Sequence, residues 1–178
     1  MRIDTIPPAG ILLDKNWKFQ IGDNAGYASR DYDDSQWQLI NPTLDIHEIP
    51  VLWKHSVVWF RLQFKVDSRL LGQLAMMIQQ AGASEIYLNR KLIKRLGTIS
   101  KNSKEIIAIN PLGKPIALPV DEISGQVLAV CYALQPGIRY ATHWDQSNKD
   151  LEILINTFEG ANFFHFQNAV YFDKSEII

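Results

Sequence analysis

The chain has 178 residues, 47% of them hydrophobic and 21% charged, with a formal net charge of −1. That length holds one domain with a real core, and the balance is that of a folded globule rather than a disordered chain. With near-neutral charge and no extended lysine or arginine run, nucleic acid and anionic membrane surfaces are poor partners.

The single cysteine, Cys131, cannot form an internal disulfide, and within the apolar run Val127–Tyr132 it reads as a small strand residue. No stretch approaches the ~18 apolar residues of a spanning helix. The opening Met1-Arg2-Ile3-Asp4 lacks the pattern of a signal peptide.

Residues 1–11 read as an extended lead-in, since Pro7-Pro8 blocks a helix, and 12–178 as one sandwich domain. Trp17–Ile21 alternates as a strand. Gly22 to Ser35 is rich in breakers and caps and predicts a loop or short helical turn. Trp37, Leu39 and Ile40 restart an apolar edge that Pro42 and Pro50 interrupt.

Val58–Val66 is the clearest strand. Val58, Phe60, Leu62, Phe64 and Val66 share one face, and Trp59, Arg61, Gln63 and Lys65 the other. Gln73–Gln80 forms the next strand, with Leu74, Met76 and Ile78 on one face. Ser84–Asn89 then turns through Arg90-Lys91 into Leu92-Ile93.

Glu105–Ile109 is a short strand, and Pro111, Gly113, Pro115 and Pro119 punctuate a looping segment before the strand Gln126–Leu134. A long polar stretch, Gln135–Asp150, precedes Leu151–Asn156. Phe163–Phe166 and Ala169–Phe172 are further strand candidates. About nine or ten short strands with hardly any helical period argue for an all-β antiparallel sandwich or jelly roll.

Four segments then resemble a known group: Trp17-x-Phe19, Asp33-Asp34-Ser35-x-Trp37, Trp59-Phe60-Arg61-x-x-Phe64-x-Val66, and Gly82-Ala83-Ser84-Glu85-Ile86-Tyr87-Leu88-Asn89. Their order is similar to the galactose-binding-like jelly roll, and to the N-terminal sugar-binding domain of family-two glycoside hydrolases. The segment Asn110–Pro119 looks closer to the extracytoplasmic N-terminal domain of bacterial sensor histidine kinases. The likeness runs from Leu12 to Tyr132. It departs at the hairpin turn, where Asn89-Arg90-Lys91 replaces the usual Asn-Gly-Lys, and at Ser56, where a glycine often stands.

Catalytic signatures are missing. No Gly-x-Ser-x-Gly, His-Glu-x-x-His or paired Cys-x-x-Cys occurs, which points away from an enzyme, a metal centre and a cofactor. Arg61 and Glu85 form the most interesting polar pair. If their strands neighbour one another, Trp59 and Tyr87 beside them would supply ring faces for a carbohydrate or other small polar ligand, and a structural cross-strand ion pair is the alternative.

A second candidate is the loop carrying Arg139, Tyr140, His143 and Trp144, at a place where sandwiches put recognition. Trp53-Lys54-His55, between two proline-punctuated stretches, is another. Asp31, Asp33 and Asp34, with Asp23 nearby, suit turn capping better than calcium, which wants six to eight oxygens. Phe163–Phe166, His165 included, reads as core or interface.

The resemblance implies a non-catalytic recognition or input module of a membrane-bound signalling protein, placed in the periplasm or at the cell surface. It would work by ligand binding or homotypic, dimer-forming contact, with the remainder of a larger polypeptide as its partner. The alternative is an architectural accessory domain of a glycoside hydrolase. A free-standing carbohydrate-binding protein is a third reading.

Overall fold

The computed structural model describes residues 1–44, 48–54, 57–111, 114–121, 125–137 and 151–157. Two antiparallel sheets face each other across one apolar interior, as the alternating strands predict. In the larger sheet the order is β4 (Gln38–Ile40), β3 (Trp17–Ile21), β5 (Val58–Val66), β10 (Gln126–Leu134), β7 (Gly82–Leu88) and β8 (Lys91–Leu96). A short parallel strand, β1 (Arg2–Ile3), joins the end of β5 by pairing Arg2 with Lys65 and Ile3 with Val66. The smaller sheet runs β2 (Ile11–Leu12), β11 (Leu151–Thr157), β6 (Leu74–Gln80) and β9 (Ile116–Ala117).

Period-two patterning decides the core. Phe60, Leu62 and Phe64 of β5, Ile86 of β7, and Leu128, Val130 and Tyr132 of β10 point inward. They meet Leu74, Met76 and Ile78 of β6 and Leu151, Ile153 and Ile155 of β11 in one buried cluster. Trp17 packs edge-on against Phe60, and its indole N–H donates to the Leu13 carbonyl at 2.8 Å, which satisfies the polar atom of a fully buried ring.

The chain passes from the small sheet to the large one at Ala81. Buried polar groups fix that corner: Gln80 Nε2 donates to the carbonyls of Gly82 and Ile109, and Ser84 Oγ donates to Gln80 Oε1 at 2.7 Å. Gly82 lies so close to β10 that an added Cβ would sit 2.4 Å from the Ala133 carbonyl oxygen. The β7–β8 turn has Asn89 and Arg90 at φ of 50° and 75°. Positive φ at both central residues is the primed-turn signature, so the hairpin forms without the usual glycine. Asn89 secures it from its side chain, which accepts from the Val127 backbone N–H at 2.8 Å.

Some elements lie outside the periodic pattern. The extended lead-in is stitched to both sheets through β1 and β2, with Ile3 buried. A four-residue helix, α1 (Val51–Lys54), follows Pro50, and β9 lies within the proline-rich segment. In place of the Glu105–Ile109 strand there is a 3-10 turn at Ser103–Glu105 and a single bridge between Thr98 and Ile107. Among the described residues no helix is long and apolar enough to cross a membrane. Phe163–Phe166 and Ala169–Phe172 lie outside the described residues.

Candidate functional site

The outward face of β5 carries Trp59, Arg61, Gln63 and Lys65. Its neighbour β10 sets Val127, Ala129 and Cys131 opposite Gln63, Arg61 and Trp59, and these small side chains pack into one buried cluster with Trp59. Trp59 of β5 and Tyr87 of β7, on either side of β10, stack with centroids 5.6 Å apart and planes 30° apart. Cys131 is buried in the same cluster, and burial pushes its thiol up.

The loop between β3 and β4 folds over this face. It makes a 3-10 turn at Ala25–Ala28, capped by Asn24, whose side chain accepts from the Gly26 N–H at 2.9 Å. Tyr27, Tyr32 and Trp37 from this loop pack edge to face with one another at 4.9 to 5.8 Å, and Tyr27 also meets Trp59 at 5.9 Å. The aromatic layer is therefore a second small core on the outside of the sheet. Trp59 is 2% exposed, and its indole N–H has no acceptor among the described residues.

Arg61 is the pin of this layer. Its guanidinium is wholly buried and donates to Asp34 Oδ2 at 3.0 Å, to the Ser29 carbonyl at 2.8 Å, and to the carbonyls of Tyr27 and Tyr32. It also lies 5.7 Å from the ring centroids of both Tyr32 and Trp37. Asp34 in turn accepts from Lys18 Nζ at 2.7 Å and from Gln63 Nε2 at 3.3 Å. Burial pushes the Asp34 carboxyl up, but the bonds from Lys18 and Arg61 outweigh it and hold the group below the usual carboxylate range.

This geometry corrects the expected ligand pair. β10 lies between β5 and β7, so Arg61 and Glu85 are not cross-strand neighbours. Glu85 has its own partners: it accepts from Arg95 Nε at 2.8 Å and from the Tyr87 hydroxyl. Burial and then the Glu85 hydrogen bond push the Tyr87 phenol up, while Glu85 itself is held low because the donors outweigh its burial. Trp59 and Arg61 are thus packed in a seam beneath the loop, whereas Glu85 and Tyr87 stay half-buried beside them. The aspartates also divide their work: Asp33 caps, accepting from the Ser35 N–H at 2.9 Å, whereas Asp34 is a buried ion-pair centre.

Arg139, Tyr140, His143 and Trp144 lie outside the described residues, as does His55. Trp53 is 53% exposed on α1. Among the described residues no group of three His, Cys, Asp or Glu side chains converges as a metal site.

An open site lies just past the seam, where β5 ends and β10 begins. A cleft of about 350 Å³ is lined by Arg30, Gln63, Lys65, Gly125 and Gln126, among others. Sequence reading passed over Arg30, an isolated cation in a loop. Its Nε and Nη2 are buried without a hydrogen-bond acceptor among the described residues, and Asp121 Oδ1 lies 3.7 Å from Nη2. Gln126 is held at the back of the cleft by donating to Asp121 Oδ1 at 2.8 Å and accepting from Asn89 Nδ2 at 2.6 Å.

No family model matches this sequence, and no curated protein matches it. Solved structures share its fold. A β-glucuronidase of Bacteroides uniformis aligns with a TM-score of 0.53 at 18% identity, over 80% of this chain and 17% of its own. A β-glucuronidase 2 from the same species, covalently bound to cyclophellitol-6-carboxylate aziridine, gives 0.53 at 17% identity, over 80% and 17%. A glycosyl hydrolase family 2 member from Bacteroides cellulosilyticus gives 0.49 at 18% identity, over 83% and 21%. The chain therefore spans about a fifth of the length of these glycosidases. At such identities the likeness establishes the β-sandwich and nothing finer.

Proposed function

We propose that this chain is a non-catalytic β-sandwich module of a larger glycoside-hydrolase-type protein, and that its role there is architectural. The observation that carries this reading is the B. uniformis alignment, in which the same sandwich accounts for most of this chain and a small share of a glycosidase. The sealed seam supports it, because the ring-and-arginine face that would stack on a sugar is occupied by the chain's own loop. Hydrolysis of a glycoside needs two carboxyl groups facing one sugar, about 5 to 10 Å apart. Asp34 and Glu85 are instead each committed to basic partners.

The rival reading, an extracytoplasmic input module of a signalling protein, uses the same fold and rests on the resemblance of Asn110–Pro119 alone. The comparisons lend it no support.

Two measurements test the proposal. The chain alone, assayed on aryl glycosides including glucuronides, is expected to give no turnover above buffer; saturable, heat-labile hydrolysis would contradict it. An antibody raised against the chain is expected to detect, in cells that express it, a polypeptide several times its 20.3 kDa. Detection of a membrane-anchored kinase instead would favour the rival.

A further inference from the structure

We propose that the β7–β8 hairpin and the loop that follows it form a basic edge that binds a linear anionic polysaccharide. The proposal goes beyond the architectural reading and does not depend on it, since the edge lies within this chain.

Charge is unevenly spread in this nearly neutral molecule. Residues 85–105 carry six cations and two carboxylates, whereas the rest of the chain carries twelve and seventeen. The six cations, Arg90, Lys91, Lys94, Arg95, Lys101 and Lys104, are all exposed. Both carboxylates are already engaged. Glu85 accepts from Arg95 and Tyr87, and Glu105 accepts from Ser100 Oγ and Asn102 Nδ2, each at 2.9 Å. Lys101 has Asp23 at 3.3 Å. Among the described residues Arg90, Lys91, Lys94 and Lys104 form no ion pair.

The backbone sets these groups in a row. Lys91, Lys94 and Arg95 stand opposite Leu88, Ile86 and Glu85 on β8, the outermost strand of the larger sheet. At ~3.3 Å per residue, the backbone positions of Lys91 and Lys94 are about 10 Å apart. Past β8 the loop is closed by two hydrogen bonds between the backbones of Thr98 and Ile107, at 2.8 and 3.1 Å. Within it, the Asn102 side chain accepts from the Lys104 N–H at 3.2 Å and so fixes the turn that carries this lysine.

Lysines on an edge strand ordinarily guard it against pairing with another sheet. That accounts for Lys91 and Lys94, but not for the two loop lysines or for Arg90. Arg90 holds a φ of 75°, where glycine would be unstrained, so a cation is kept at a position that disfavours any side chain. A row of separate charges suits a polymer with repeated anions, whereas a single small anion is gripped by one converging fork. No aromatic residue occurs in 90–107, so the bases of a single-stranded nucleic acid would find no stacking platform. Lysine is also depleted in protein–protein interfaces, which makes an acidic protein the poorer fit.

The test is titration of the chain with polygalacturonate and with dextran sulfate, read by calorimetry at low salt, with uncharged dextran as the control polymer. Saturable binding to both anionic polymers is expected, none to dextran, and a loss of at least tenfold on raising salt to about 0.5 M. The double variant Lys91→Gln, Lys94→Gln is expected to weaken binding at least tenfold. Arg90→Gly is expected to weaken it severalfold while the melting temperature holds or rises, which separates lost binding from lost folding. Lys15→Gln with Lys54→Gln removes the same charge elsewhere on the surface and is expected to leave the affinity near that of the parent. Failure to saturate, equal binding of dextran, unchanged affinity in either hairpin variant, or an equal loss in the Lys15, Lys54 pair would overturn the proposal. Tighter binding of single-stranded DNA or of phosphatidylserine vesicles than of either polysaccharide would overturn it as well.

Discussion

Two arginines on the same side of the larger sheet have opposite fates. Arg61 has no exposed side-chain surface, and a carboxylate and three carbonyls take up its donors. Arg30 lies in the loop that Arg61 pins down, is 28% exposed, and keeps two buried donors unused beside an open cleft. A buried cation with acceptors around it holds a structure together, whereas Arg30, with Nε and Nη2 closed off and a long ion pair to Asp121, holds little of it. The residue type is the same, and hydrogen-bond satisfaction separates the two roles.

That contrast can be broken most forcefully at Arg61. Arg61→Ala leaves Asp34 buried with Lys18 and Gln63 as its side-chain donors among the described residues, and three loop carbonyls lose their donor. The expected cost is about 3 to 5 kcal/mol in urea unfolding. A loss below about 1 kcal/mol would mean the loop is held by its rings alone.

Asp34→Asn is the next largest, at about 1 to 3 kcal/mol at neutral pH, since it weakens charge-assisted bonds while keeping the shape. Its effect carries a sign with pH. The folded pKa of Asp34 is depressed, so its stabilisation is fully present above the unfolded carboxylate value near ~3.9 and is lost as pH falls through the lower folded value. The gap in stability between the parent and Asp34→Asn is therefore expected to shrink on acidification below about pH 4. A gap that widened there would refute the assignment.

Arg90→Gly calibrates the scale away from both Arg61 and Arg30. Arg90 holds a φ of 75°, where a side chain is strained, and glycine relieves that strain at some cost in unfolded-chain entropy. A gain of up to about 1 kcal/mol is expected, and a loss would mean the Arg90 side chain makes contacts that matter. Arg30→Ala is the smallest, within about 0.5 kcal/mol, because among the described residues its Nε and Nη2 make no hydrogen bond and its ion pair to Asp121 is long and partly exposed.

How much of this was readable in advance follows from the range of each interaction. The strand β5 was legible in full, since nine alternating residues leave one register that buries Phe60 and Phe64. β1, β2 and β9 have two residues each, too few to show a period, and they form only because a neighbouring strand offers its edge. The outward residues of β5 were the misleading part. Alternation says that Trp59 and Arg61 face away from the main core, but not that a loop 20 to 35 residues upstream returns to cover them. A signal was present in the three rings Tyr27, Tyr32 and Trp37 flanking Asp34, which are costly to leave in a solvated loop. Arg30 gave no local signal at all, because its cleft is assembled from positions 1, 30, 63–65 and 125–127, far apart along the chain.

The central claim is that the Arg61–Asp34 pair seals the outer face of the sheet beneath its own loop. A double-mutant cycle of Arg61→Ala and Asp34→Ala, read by urea unfolding, tests it most directly. A coupling energy above about 1.5 kcal/mol is predicted for two groups in one buried network. Strict additivity would show that the pair does not hold the loop, and would return Trp59 and Arg61 to the surface as candidate ligand contacts.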